Sequence, residues 1–312
     1  MYYPYFRGKQ YELITIRESA STLNKNFVPI IEPVRTRLTV LKKTLDVLCE
    51  EGARSILITN PQVGEYSEDH SDLTNFFSEK YSNNRNITQG LLLTPKTSID
   101  DAIKLINEFD QEVALIHNGF THAEELSKRI KGRGDINTHV FFENRCGKLY
   151  QKHFKDHSNR ILIRDGFESR RNSDYPQSEF FSELHETFRD EGMNGFGDFL
   201  IVGSQYREVG GPAYAVTIHL TYIDATKNKE MHIQHFKSDR QDTPVDPAGK
   251  FYEALSKLVA AVEEKKSGIL DTPAVREFKS LYKDNRFRGL GYVKKLSMLH
   301  HIETLSNFFN EK

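Results

Sequence analysis

Short, almost uninterrupted apolar runs recur along the chain at 2–6, 27–31, 55–59, 90–93, 113–116, 140–142, 161–163 and 199–202. Runs of this length fit strands buried on both faces, and a series of them predicts a parallel sheet. Between them lie amphipathic stretches long enough for crossover helices. Leu38, Leu41, Leu45 and Leu48 recur every three or four residues, and Glu51-Gly52 ends that helix. Leu73, Phe76, Phe77 and Tyr81 repeat the pattern, and Ser98 with Asp101 offers an N-cap before Ile103, Ile106 and Phe109. Further helices are predicted at 121–131, 147–153 and 177–188.

One strand follows the last at intervals of about 28 residues, close to the ~31 per unit of an eightfold barrel of 250 residues. The predicted fold class is therefore α/β, a TIM-like (β/α)8 barrel with strands 1–8 in residues 1–204 and a helix at 251–263 closing it. A doubly wound open sheet is the main competitor. Nucleotide-binding sheets of that kind open with a Gly-rich turn, whereas the first run here is followed by Phe6-Arg7-Gly8-Lys9-Gln10, with one glycine. After the eighth strand the period falls to two. Val216, Ile218, Leu220 and Tyr222 alternate with Thr217, His219 and Thr221, and a polar turn at 224–229 leads into 231–236, which predicts an antiparallel hairpin. Residues 205–248 read as a β-hairpin insertion over the C-terminal face of the barrel. Residues 249–312 read as the closing helix and C-terminal helices of one overall domain, with Val293, Leu296, Leu299, Ile302 and Leu305 along one of them.

Composition then excludes several classes of function. The 312 residues carry 43 Lys+Arg and 44 Asp+Glu, a net charge of -1 that gives no general attraction to nucleic acid or anionic lipid. Cys49 and Cys146 cannot build a cysteine-based zinc site and fit a reducing compartment. No apolar run approaches the ~20 residues of a membrane span, and the N-terminus has no secretory pattern. The expected location is the cytoplasm, with no membrane attachment. The absence of Trp argues against sugar stacking in a glycoside hydrolase, although paired carboxylates would suit one.

Strand C-termini in such a barrel surround one mouth. The residues just past the runs are Arg7 and Lys9, Glu32, Asn60, Thr94 with Lys96, His117, Glu143, Arg164 with Asp165, and Ser204. Glu32, Glu143 and Asp165 could hold a divalent metal or divide acid and base roles, with His117 carrying protons; these four are the candidate catalytic residues. Arg7, Lys9, Lys96, Arg164 and Ser204 are the candidate anion-binding residues, since glycine-rich turns after strands seven and eight can offer N–H groups to phosphate. The competing expectation is that Glu32 and Glu143 pair with Arg7, Lys9 or Arg164 and that the glycines merely turn the chain. His232 and His235 lie three apart on a strand and point to opposite faces. His300-His301 with Glu303 lacks metal-helix spacing and reads as solvated or capping. Basic stretches at 128–133, 170–171 and 283–295, the last interleaved with Phe287 and Tyr292, read as solvated or protein-contact faces rather than a nucleic-acid site.

Four phrases together are similar to the phage-type beta-protein family: Tyr3-Pro4-Tyr5-Phe6-Arg7-Gly8-Lys9-Gln10, Pro29-Ile30-Ile31-Glu32-Pro33, Gly197-Asp198-Phe199 and Asp246-Pro247-Ala248-Gly249-Lys250-Phe251. The resemblance implies a barrel-like α/β protein of phages and of bacterial mobile or defence-related neighbourhoods, in some branches beside a small nuclease-like protein. It implies no catalytic residue. Two functions follow as expectations: a defence-associated barrel that binds a protein partner, or a metal-assisted phosphoester hydrolase with its site at the barrel mouth.

Overall fold

A computed structural model describes residues 1–310 apart from 24, 25, 109, 110, 158, 265 and 266, so Phe109 of the predicted fourth helix lies outside the described residues. The strands are β1 Tyr5–Phe6, β2 Ile30–Ile31, β3 Ser55–Ile58, β4 Ile87–Leu93, β5 Val113–His117, β6 Ile136–Phe142, β7 Arg160–Ile163, β8 Ser178–Ser182, β9 Gly195–Gly197, β10 Thr217–Asp224 and β11 Glu230–Lys237. The helices are α1 Gln10–Leu23, α2 Thr39–Glu50, α3 Ser71–Lys80, α4 Ile99–Asn107, α5 Ala123–Arg129, α6 Lys148–Lys152, α7 Leu184–Thr187, α8 Pro247–Glu263, α9 Pro273–Lys283 and α10 Leu290–Asn310. They fall into two compact units, Met1–Arg164 with Thr187–Phe199, and Asp165–Glu186 with Leu200–Lys312.

The first unit is the barrel. Its eight strands pair in parallel in the order β1-β2-β3-β4-β5-β6-β7-β9. The ends of that row join each other: Tyr3 N–H donates to the Phe196 carbonyl at 2.7 Å and Tyr5 N–H to the Asp198 carbonyl at 2.9 Å. Tyr5, Ile30, Ile58, Leu92, Ile116 and Phe142 are among the side chains filling the interior. Helix α2 buries Leu41, Leu45 and Leu48, and the hydroxyl of Ser98 caps α4 by accepting the Asp101 N–H at 3.1 Å, both as the sequence pattern predicts.

The eighth staff of the barrel is Gly195–Gly197, just upstream of the predicted 199–202. A Gly-Phe-Gly strand carries no apolar run, so a pattern of hydrophobic residues passes over it. Steric demand explains the glycines: a Cβ on Gly195 would stand 2.7 Å from the Tyr3 ring, and one on Gly197 would overlap the Tyr3 carbonyl oxygen. Residues 177–188 are likewise not a single helix, because Ser178–Ser182 forms a strand that pairs antiparallel with β11 and only one helical turn, α7, follows.

The second unit is built on a three-stranded antiparallel sheet ordered β10-β11-β8. The predicted hairpin is its centre, with Thr217 opposite Lys237 and Asp224 opposite Glu230. Helix α8, expected to close the barrel, packs instead on β10 and β11. Its Phe251, Leu255 and Leu258 share a core with Ile218, Leu220, Phe236, Phe278 and Leu296. Packing overrides sequential proximity here, because the apolar face of an amphipathic hairpin needs a cover and α8 supplies one. Among the described residues no helix is long and apolar enough to cross a membrane.

Candidate functional site

Alternation along each strand decides which strand-end residue faces the barrel lumen. Tyr5 and Ile30 point inward, so Arg7 and Glu32, each two residues farther on, do as well. Glu32 is completely buried. Its Oε2 accepts the Tyr5 hydroxyl at 2.6 Å and a bond from the Arg7 guanidinium, and its Oε1 accepts the Gln62 N–H at 3.1 Å. Burial, reinforced by the Glu32 charge, pushes the Tyr5 phenol well above its ordinary range and keeps it a donor. The Arg7 guanidinium lies 5.1 Å from the Tyr5 ring centroid, and its backbone N–H donates to Glu12 at 2.6 Å. Tyr5, Phe142 and Phe199 form an aromatic floor, with Tyr5 meeting each of the others at 5.1 Å. Asn60 also faces inward, where its amide bridges the Leu92 N–H at 2.7 Å and the Leu92 carbonyl at 3.0 Å.

Glu143 and Arg164 follow inward-facing Phe142 and Ile163, so the same alternation carries them to the outer side of the wall. They form a two-pronged ion pair, Nε to Oε2 at 2.6 Å and Nη2 to Oε1 at 2.7 Å. Lys148 and Glu191 pair beside it at 2.6 Å, and Glu191 stands 3.9 Å from Arg164. Lys96 is exposed and Lys9 half-buried. Asp165 and Ser204 belong to the second unit, where Asp165 accepts the Phe167 N–H at 3.1 Å and the Ser204 N–H at 2.7 Å. That N–H is therefore engaged by a carboxylate, and Gly203, at φ +80°, supplies the turn beside it.

The predicted residues thus associate in pairs, Arg7 with Glu32, Glu143 with Arg164, and Asp165 with Ser204. Each carboxylate has both oxygens engaged. Among the described residues, no three or more His, Cys, Asp and Glu side chains are arranged to share a metal ion.

His117 also departs from the mouth. Ile116 fills the lumen, so His117 points outward, fully buried. Its Nδ1 lies 2.6 Å from the Tyr150 hydroxyl and its Nε2 3.0 Å from His139 Nδ1, while His139 Nε2 lies 3.0 Å from His157 Nδ1. This is a head-to-tail file of three imidazoles. Its members come from adjacent strands and a following turn, so no local spacing reveals them. Neutral imidazole has one donor and one acceptor nitrogen, so neutral rings satisfy every link in the file. Burial lowers all three pKa values, that of His117 to about 3. The unfolded chain, with histidines near the ordinary ~6.5, binds protons that the folded one refuses. Stability conferred by the file is complete above about pH 6.5 and declines as pH falls below it, by up to ~1.4 kcal/mol per pH unit from fully buried His117, whose folded pKa of about 3 ends its own window. Urea unfolding between pH 7.5 and 4.5 checks this; His117→Phe should flatten the decline.

His300 and His301, read from the sequence as solvated or capping, are buried in α10. His300 meets the Thr272 hydroxyl at 2.9 Å and the Thr221 carbonyl at 2.8 Å, and His301 meets the Thr221 hydroxyl at 2.9 Å. They are internal struts between the helix and the hairpin.

Three of the phrases from which the family resemblance was expected fall at structural joints. Gly197 and Tyr5 close the ring, and Asp198 accepts the Tyr2 hydroxyl at 2.7 Å. Asp246 caps α8 through the Gly249 N–H at 2.9 Å. Buried Lys250 donates to the carbonyls of Ala213 and Tyr214 at 3.1 and 2.7 Å. No protein-family model, curated protein or solved structure matches the chain.

Proposed function

We propose that this is a partner-binding barrel protein of a phage or defence-related gene neighbourhood, acting with a small nuclease-like protein, and that its barrel mouth is not a hydrolytic centre. The observation that carries this reading is the mutual neutralisation of the strand-end charges. A general base needs a lone pair directed at substrate, and Glu32 directs its oxygens at Tyr5, Arg7 and Gln62. The metal-assisted alternative needs carboxylate oxygens left for a cation, and Glu143 gives both of its own to Arg164.

The second unit carries the features that suit a partner. Phe180 on β8 is 49% exposed, Tyr214 51% and Val209 77%. Large apolar and aromatic side chains of this kind anchor protein interfaces when a partner covers them. Co-expression with the products of the neighbouring genes should give one complex of fixed stoichiometry with a small nuclease-like protein by size-exclusion chromatography with light scattering. Phe180→Asp and Tyr214→Asp should each weaken it at least tenfold, the ~1.4 kcal/mol or more of a buried anchor. Separate elution of the two proteins at micromolar concentration would overturn the proposal.

A further inference from the structure

The hairpin places His219 and His235 directly opposite each other on β10 and β11. Their Nδ1 atoms are 2.7 Å apart. His235 Nε2 lies 3.0 Å from Glu179 Oε1 on β8, and Glu179 Oε2 lies 3.0 Å from Arg170. Tyr175 stacks on His235 with centroids 4.6 Å apart and meets His219 edge-on at 4.7 Å, while Phe167 meets His219 at 5.1 Å. The His235 side chain is wholly buried. His219 is partly exposed, and among the described residues its Nε2 has no hydrogen-bond partner.

These contacts fix the tautomers in order. An ionised carboxylate only accepts, so His235 carries its proton on Nε2 and presents a lone pair at Nδ1. His219 must then donate from Nδ1, which leaves the lone pair of this partly exposed side chain on Nε2. Glu179 orients one imidazole, which orients the next, by the logic of a catalytic triad lengthened by one ring. We propose that His219 is a metal-independent general base, positioned by His235 and Glu179, for hydrolysis of a phosphodiester. This site stands independently of the proposed partner.

Charge and chemistry select that substrate class. The groups around His219 are His235 and Lys237 on β11, Glu179 on β8, Arg170 and Tyr175 in the segment before β8, Lys294 on α10, and Arg207 near Tyr175. Glu179 is paired with Arg170, and the Lys237 ammonium is held by the Ser173 and Tyr175 carbonyls at 3.2 and 2.5 Å. Arg207, which also donates to the Gln205 side-chain oxygen at 3.2 Å, and Lys294 are exposed, and their positive charge gives the surroundings an attraction for anions. A loose transition state, as in transfer of a terminal phosphoryl group, asks little of a base, whereas water attacking a diester benefits from one. In the step, His219 Nε2 takes a proton from water as the water oxygen bonds to phosphorus and the P–O ester bond breaks. The leaving alkoxide takes a proton from solvent, and the imidazolium returns its own. Burial, then His235 and Lys294, hold the His219 imidazolium well below its ordinary pKa, so the base stays neutral into mild acid.

The test is hydrolysis of bis(p-nitrophenyl) phosphate by the full chain in the presence of EDTA, with nitrogen NMR to read the tautomers. The wild type should turn over the probe, show His219 protonated on Nδ1, and lose activity as pH falls below the ordinary imidazole range. His219→Gln should lower kcat/KM about 100-fold, the smaller end of a general base's contribution. In Glu179→Gln, Arg170 claims the amide oxygen and the amide NH2 faces His235. The file should then reverse, putting a proton on His219 Nε2 and lowering the rate without contact with the probe. This second variant keeps both imidazoles should His219→Gln fail to fold. No turnover by the wild type, turnover abolished by EDTA, turnover unchanged in both variants, or a wild-type His219 protonated on Nε2 would overturn the assignment.

Discussion

Gly197→Ala should prevent the barrel from closing, with a loss of more than ~4 kcal/mol, in the range reserved for gross steric conflict or cavity formation. The methyl group would overlap the Tyr3 carbonyl oxygen and press on Ile163. The obstruction is backbone, so it cannot rotate away as a flexible side chain would. Relief requires parting β9 from the segment 3–5, where the hydrogen bonds from Tyr3 and Tyr5 join the two ends of the sheet. Gly134→Ala is the matched control, because nothing lies within 4 Å of its Cβ position and its backbone is one that alanine adopts. Urea unfolding of the two variants should separate them sharply. Similar midpoints would mean that closure at Gly197 does not limit stability.

Arg7→Ala should cost about 3–5 kcal/mol, since removing one member of a buried ion pair leaves the other uncompensated. Glu32 is wholly inaccessible and the Arg7 side chain only 14% exposed, so little water reaches the pair. The guanidinium also covers the Tyr5 ring, and that contact is lost with it. Arg7→Met combined with Glu32→Gln should recover part of the loss, because the neutral amide removes the stranded charge while its oxygen still accepts the Tyr5 hydroxyl. The same denaturant measurement checks both. A double variant no more stable than Arg7→Ala would show that guanidinium packing, rather than the charge on Glu32, is what the wild type requires.

Much of the barrel was legible because burial on both faces leaves an apolar run wherever side chains do the filling. Seven of its strands are marked in this way. The eighth was not, because closure at that seam is limited by backbone approach to Tyr3 and calls for glycine, which carries no hydrophobic signal. The hairpin's two-residue period was equally legible, but its third strand, β8, hides behind Ser178 and Glu179, polar residues at a sheet edge. Helix α8 was visible as a helix, while its destination was not, since one apolar stripe suits a barrel wall or a hairpin equally well.

The candidate chemistry divides along the same line. By itself, the sequence determined the ends of seven strands, the ionisable residues that occupy them, and a short set of cations, Arg7, Lys9 and Arg164, from which Glu32 and Glu143 could draw partners. Only the tertiary structure decided that Glu32 faces the lumen and His117 faces away, because a one-residue step reverses the side of a strand. Only cross-strand register brought His117 to His139, and His219 to His235 and Glu179. Proton-bearing groups act on one another over about 3 Å, and at that range proximity is set by the pairing of distant segments, which the order of residues along a chain does not record.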